Sequence, residues 1–331
     1  MADLLLPPTL YPSDVDWALL DYSSIFPNTF GGAPKTYGRG QRWQATLRWQ
    51  NLSKADRGQL AAFLAAMEGK ANRVWMSDFA YRQRGSFPAG ELLTNGLFTS
   101  GTTGWTASAN VALTSADNLL RVTITATGGA TNPAASVSGI TLTNGAAYAV
   151  RGAFIRGKGG VSTIGSYVTD GVTGASSMST SNNFQTASIT VASTTGTISV
   201  GSGVATGYAV GDYVDVSYAS LSRCILVDGA GQTGGAINVK GLPVSSTGLL
   251  LAGDRVDIGG ELKVLTAPLS SDSAGKGYLK FQPALRTASL ADATPIVVGR
   301  PFGKFVMSDG GTVPSRPGFF SDFAMTFVEA A

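Results

Sequence analysis

The sequence predicts a mainly β chain: a β-sandwich or barrel domain with one short α-helix, interrupted by an inserted β-sandwich. Three observations predict this. Short runs with an apolar residue at every second position recur along the chain, separated by Gly, Asn and Asp. Only one stretch has the 3.6-residue period of a helix. Composition also shifts sharply near Glu91 and again near Ser222. Residues 91–222 hold 4 basic and 5 acidic residues, against 20 and 16 in the flanks, and 59 of these 132 residues are Gly, Ser or Thr. Four of the five Trp (Trp17, Trp43, Trp49 and Trp75) precede residue 91. Such a shift marks a module boundary. The expected organisation is a discontinuous domain of residues 1–90 and 223–331 with an insertion at 91–222.

In chain order, Leu4 to Pro34 is rich in Pro and reads as extended, either an arm lying on a neighbour or a loosely packed terminus. Trp43 to Trp49 alternates like a strand. Ser53 then offers an N-cap, with Asp56 three residues on. Leu60, Phe63, Leu64 and Met67 fall on one helical face, and Gly69 is placed to end the helix. Arg73-Val74-Trp75-Met76 resumes as a strand. The middle stretch has too many β-branched and aromatic residues for a disordered Gly/Ser linker. Leu120-Val122-Ile124, Ala187 to Val191 and Tyr213 to Ser217 alternate as strands. Asn95-Gly96, Gly128-Gly129, Asn144-Gly145 and Asp170-Gly171 supply turns. In the last flank, 236–239, 255–258, 261–265, 277–281, 296–298 and 323–328 read as strands. Gly259-Gly260 is a two-residue hairpin turn, and Gly275 and Asp309-Gly310 mark further turns.

The chemistry is sparse. The chain has 331 residues and a net charge of +3, far from the basic surface of a phosphate-backbone binder, so no nucleic acid binding is expected. It contains no His and one Cys. That excludes His-dependent triads, His metal ligands and an intrachain disulfide. No enzyme activity, metal or cofactor is expected. The N-terminus carries no targeting pattern, and no stretch reaches the ~18 apolar residues of a membrane span, so membrane insertion is not expected. Gly229-Ala230-Gly231-Gln232-Thr233-Gly234 spells a phosphate-loop pattern but leads into a strand, so it reads as a turn. Asp228, Asp254, Asp272 and Asp309 sit at turns. Glu91, Asp117, Asp170, Asp212 and Asp215 are the candidates for a Ca²⁺ site, with solvated turns as the competing reading, and Asp170, Asp212 and Asp215 are the candidate acids of a hydrolase. Cys224 lies in an apolar run and reads as buried. Lys70, Arg73, Arg82 and Arg84 read as a solvated face or a protein interface. The aromatic candidates for stacking on a sugar are Tyr167, Phe184 and Trp105, with core packing as the preferred reading for Trp105, whose Gly104-Trp105 setting suits a plug of the sandwich.

The flanks carry a pattern. Leu251-Ala252-Gly253-Asp254-Arg255-Val256-Asp257-Ile258-Gly259-Gly260-Glu261-Leu262 is followed by Asp272-Ser273-Ala274-Gly275-Lys276-Gly277, Phe281-Gln282-Pro283, Arg300-Pro301-Phe302-Gly303-Lys304-Phe305 and Phe320 to Met325. Together with Trp43 to Trp49 and the helix after it, this resembles the distal tail protein family of long-tailed phages. The resemblance implies a virion hub at the tail tip, made in the host cytoplasm. Its partners would be itself in a ring (a hexamer, or a trimer), the tail tube protein, and the tail-tip or baseplate hub proteins. Glu91 to Gly101 with Gly104-Trp105, and Val214 to Leu221, resemble the first and last parts of carbohydrate-binding modules with a jelly-roll sandwich. That resemblance implies attachment to a host surface glycan. The competing readings are a free-standing carbohydrate-binding adhesin without a ring, and a tail-associated hydrolase.

Overall fold

The computed structural model describes residues 3–6, 10–22, 24–26, 35–37, 40–78, 80–126, 133–156, 164–179, 183–202, 209–286, 289–308 and 321–330. The first flank forms β1 (Asp3–Leu5), β2 (Asp14–Asp21), β3 (Ser24–Phe26), β4 (Lys35–Tyr37), β5 (Gln41–Leu52), α1 (Lys54–Met67) and β6 (Arg73–Ser77). The middle forms β7 (Thr106–Ala107), β8 (Val111–Ala116), β9 (Leu119–Ile124), β10 (Ala134–Thr141), β11 (Ala147–Arg156), β12 (Ile164–Thr169), β13 (Gly174–Ser179), β14 (Asn183–Thr190) and β15 (Thr195–Ser202). Strand β16 (Tyr213–Val227) leads into β17 (Ala236–Lys240), β18 (Arg255–Ile258), β19 (Glu261–Leu265), β20 (Gly277–Gln282), β21 (Pro295–Val297), β22 (Phe302–Met307) and β23 (Ser321–Glu329). The chain is mainly β, as its period-two patterning predicts.

Both ends of the chain build one six-stranded sheet, in the order β1-β6-β22-β23-β5-β2. Its core packs Leu47, Trp49, Val74, Phe305, Met325 and Phe327 against Leu60, Phe63 and Met67 of α1. The helix starts as its sequence indicates: the Ser53 hydroxyl accepts from the Asp56 N–H at 3.2 Å. Its C-cap is Glu68, in the left-handed region, one residue before the expected Gly69. The expected arm is corrected here. In its described part, β1 runs parallel to β6 and β2 runs antiparallel to β5. Leu6 and Leu10 are buried, and the Trp49 indole N–H donates to the Leu10 carbonyl at 3.0 Å. Alternation at Val15 and Trp17 is what docks this segment on its own subunit.

The second flank closes on itself. Strands β16-β17-β20-β19-β18-β21 are hydrogen-bonded in that order, and β21 pairs back with β16. The result is a six-stranded antiparallel barrel filled by Ile225, Val239, Ile258, Leu279, Phe281 and Ile296. Gly259-Gly260 turns the β18–β19 hairpin, both with positive φ, which only glycine adopts freely.

The middle strands form two layers. One is β13-β12-β15-β10-β7; the other runs β14-β11-β16-β9-β8. Between them lies a separate core that includes Phe98, Trp105, Leu120, Val150, Ile198 and Val216. At its C-terminal end the sandwich is joined by a continuous strand and not by a loop. The composition boundary at 222/223 falls inside β16, whose first part pairs with β9 and β11 and whose last residues pair with β17 and β21. Glu91 sits beside the same strand. Its Oε1 accepts the N–H groups of Leu92, Leu93 and Leu221, and its Oε2 accepts the Ser220 hydroxyl at 2.5 Å. Of the expected turns, Asn144-Gly145 and Asp170-Gly171 join β10–β11 and β12–β13, whereas Gly128-Gly129 and Asp309-Gly310 lie outside the described residues.

Candidate functional site

The three aromatic candidates fall in three different places. Trp105 plugs the sandwich core: it is buried, its indole N–H donates to the Asn95 carbonyl at 3.1 Å, and its ring lies 5.5 Å from that of Phe98. The Asn95 side chain holds the surrounding turn by donating to the Gly101 and Thr103 carbonyls. No ring face of Trp105 is left for a sugar, so packing accounts for it. Phe184 is also buried. It lies between Trp75, Tyr218 and Phe302, with centroids at 4.6, 5.9 and 5.0 Å. This cluster joins the sandwich strands β14 and β16 to β6 and β22 of the six-stranded sheet. Phe184 is therefore corrected from a sugar-stacking residue to a junction residue. Its rim lines a cleft of about 390 Å³, together with Trp75, Gln185, Asp257 and Lys304.

Tyr167 alone is exposed, at 39%. It stands on the outward face of the layer β13-β12-β15-β10-β7. Strand register places Ser176, Tyr167, Ser199, Ser136 and Thr106 in one row across that layer. The period-two alternation puts Ile198, Val200, Ala135 and Val168 inward and these hydroxyl residues outward. The ring lies over Gly174, where a Cβ would come within 2.6 Å of the Tyr167 hydroxyl oxygen. A larger residue at 174 would lift it. Among the described residues, this row presents four hydroxyl side chains and one aromatic ring.

The acidic candidates are committed to structure. The Asp170 carboxylate accepts the N–H groups of Val172, Thr173, Ala192 and Ser193. These bonds, led by that from Thr173, hold it well below the usual carboxylate range. Asp212 accepts from the Ala209 N–H at 2.8 Å. Asp215 takes a bidentate pair from Arg121 Nε and Nη2, both at 2.8 Å. Among the described residues, no group of three or more Cys, Asp or Glu side chains is placed to hold a metal ion. Cys224 is fully buried, and burial pushes its thiol up to about 12. In the basic cluster, Arg73 pairs with Asp3 at 2.7 Å and Arg84 lies 3.9 Å from Asp254. The Gly229–Gly234 stretch is a turn between β16 and β17.

Sequence reasoning missed two features. One is the junction itself, because Trp75, Phe184, Tyr218 and Phe302 come from four distant strands. The other is the edge strand β2, since the Pro content around it masks its short alternation. No family model matches the sequence, and no curated protein matches it. Among solved structures, the chain is similar to a CBM4 module (16% identity, TM-score 0.31, covering 39% of this chain and 98% of that one). It is also similar to TmCBM61 in complex with β-1,4-galactotriose (18%, 0.29, 41% and 99%). A third is the N-terminal CBM22 tandem of Paenibacillus barcinonensis Xyn10C (13%, 0.30, 74% and 91%).

Proposed function

We propose that the chain is a structural subunit of the distal-tail type. Copies join edge to edge into a ring, a hexamer or a trimer, at the tip of a phage tail, between tail tube and tip proteins. Residues 1–90 and 223–331 form the hub, and residues 91–222 form an inserted sandwich carried outward to meet host surface sugars. The observation that carries the assembly is β2. It is the outermost strand of its sheet, and no described strand pairs with its free edge. It is eight residues long and holds the apolar run Trp17-Ala18-Leu19-Leu20, of which Ala18 and Leu19 are exposed. An eight-residue edge with an apolar centre between Asp14, Asp16 and Asp21, against which no described strand is paired, is a template for pairing with another chain. A head-to-tail contact of this kind that closes yields a ring. The insertion reading is supported by Glu91, which bridges the module's first residues to its last strand. A module whose ends lie together can be inserted at little cost. Negative-stain imaging of the purified full chain tests the proposal. Closed rings of uniform diameter are expected; single particles at all concentrations would oppose it.

A second reading, sugar binding without a ring, is favoured by the Tyr167 face. An aromatic ring stacks on the apolar face of a pyranose, and the flanking hydroxyls match its polar rim. A glycan array probed with the full chain and with Tyr167→Ala tests it. Binding lost with Tyr167→Ala is expected; binding unchanged by that substitution would remove this face as the site.

A further inference from the structure

A second cleft, of about 540 Å³, opens where the sandwich, the segment 78–91 and the β21–β22 connection meet. Its size is within the roughly 300–1,000 Å³ of small-molecule sites. Three of its lining residues are arginines: Arg82, Arg151 and Arg300. Two carboxylates also line it. Asp78 pairs with Arg255 at 2.8 Å, and Glu91 keeps its charge but is held by the N–H groups of Leu92, Leu93 and Leu221 and the Ser220 hydroxyl, so positive charge remains in excess in the lining. Arg151 is fully buried in the wall. Its Nη1 donates to the Arg300 carbonyl at 2.8 Å, and its guanidinium lies 5.2 Å from the Phe302 ring centroid. Its Nε and Nη2 have no hydrogen-bond partner among the described residues, and neither does the buried Ser222 hydroxyl in the same wall. Neither Arg151 nor Arg300 has a carboxylate at ion-pair distance among the described residues. In Arg121 the same Nε–Nη2 edge is filled by Asp215.

A buried guanidinium with no carboxylate at ion-pair distance is costly, Asp257 acting on Arg151 only from further away, and unsatisfied buried groups call for a missing ion, water or ligand. Its charge adds to that of the two arginines nearer the mouth and makes the cleft favour an anion. Exposed Tyr11 also lines the cleft, offering an apolar ring face beside the charges. We propose that this cleft binds an acidic sugar. The carboxylate or phosphate would be held by Arg82 and Arg300 over the buried Arg151 charge, and the sugar ring would lie against Tyr11. The site is distinct from the Tyr167 face and needs no ring of subunits. It draws on the sugar reading above only for the choice of ligand body.

Calorimetric titration of the full chain tests this, with four probes: glucuronate, glucose 6-phosphate, glucose and inorganic phosphate. One of the two acidic sugars is expected to bind, and which one identifies the anion; glucose and phosphate should bind at least tenfold more weakly. Arg300→Gln and the surface variant Arg82→Gln should each raise Kd at least tenfold, while Tyr167→Ala should not change it. No binding by either acidic sugar would overturn the proposal. So would phosphate binding as tightly as the sugars, or affinity unmoved by both arginine variants. Loss with Tyr167→Ala alone would also overturn it, while leaving the sugar reading intact on the other face.

Discussion

Asp257 shows how one residue's surroundings become a measurable property of the fold. It is buried where the barrel meets the sandwich, and its carboxylate accepts the Gly260 N–H at 2.8 Å. Burial pushes its pKa from 3.8 up to about 6, against the opposing pull of Arg151 and Lys304. The folded form therefore binds the proton more tightly than the unfolded chain. Its stabilising effect is complete below pH 4 and is lost as pH rises through about 6, a change of roughly 3 kcal/mol. Urea unfolding between pH 4 and 7 should show this decline, and Asp257→Asn should flatten it; an unchanged slope would place the proton elsewhere. Glu329 is a buried carboxylate held by several partners. It is fully buried, accepts the Leu262 N–H at 2.9 Å and pairs with Arg286 at 2.7 Å. Lys263, also fully buried, pairs with Glu261 at 2.6 Å, and Arg286 lies 3.9 Å from the same carboxylate. Removing one partner of such a network strands the others, so Glu329→Ala should cost about 3–5 kcal/mol. A loss below 1 kcal/mol in chemical denaturation would mean that water replaces the carboxylate.

Among the elements, β16 decides how the sandwich is carried. One continuous strand belongs to both sandwich and barrel, and the aromatic junction braces it from the side. Phe184→Ala would open a void between Trp75, Tyr218 and Phe302 and should cost about 3–5 kcal/mol. It should also raise amide exchange in β14 and at the start of β22 together; exchange confined to β14 would show that the junction does not couple the two parts. How far such elements are legible in the sequence depends on the range of their contacts. The α1 cap, its apolar face and the Gly259-Gly260 hairpin rest on neighbours within a few residues, and they are readable from the chain alone. The barrel closure between Cys224 and Val297 is a pairing across more than seventy positions, and nothing local announces it. The same holds for the candidate site. The alternation around Tyr167 marks it as outward-facing, whereas Phe184 has identical local credentials and is buried only because β6 and β22 arrive from elsewhere. Trp105 sits in the core, where its bond to the Asn95 carbonyl and the Phe98 ring fix it.

At the scale of the whole molecule, the two ends of the chain form the six-stranded sheet, the barrel extends from it, and the sandwich is fixed by a shared strand. Such a body would hold its Tyr167 face in a constant direction. If copies close into a ring, weak sites repeated around it act together, and avidity exceeds the affinity of one site by orders of magnitude. That arrangement depends on the free edge of β2. The measurement that tests it most directly is the light-scattering mass of the full chain over a concentration series, beside the edge variant Ala18→Lys/Leu19→Lys. Charge at an edge strand blocks pairing without disturbing the face already packed. The account expects a discrete mass of six or three subunits of 33.9 kDa for the natural sequence and a single subunit for the variant. A single subunit at every concentration for the natural sequence, or an assembly that the two lysines leave intact, would contradict it.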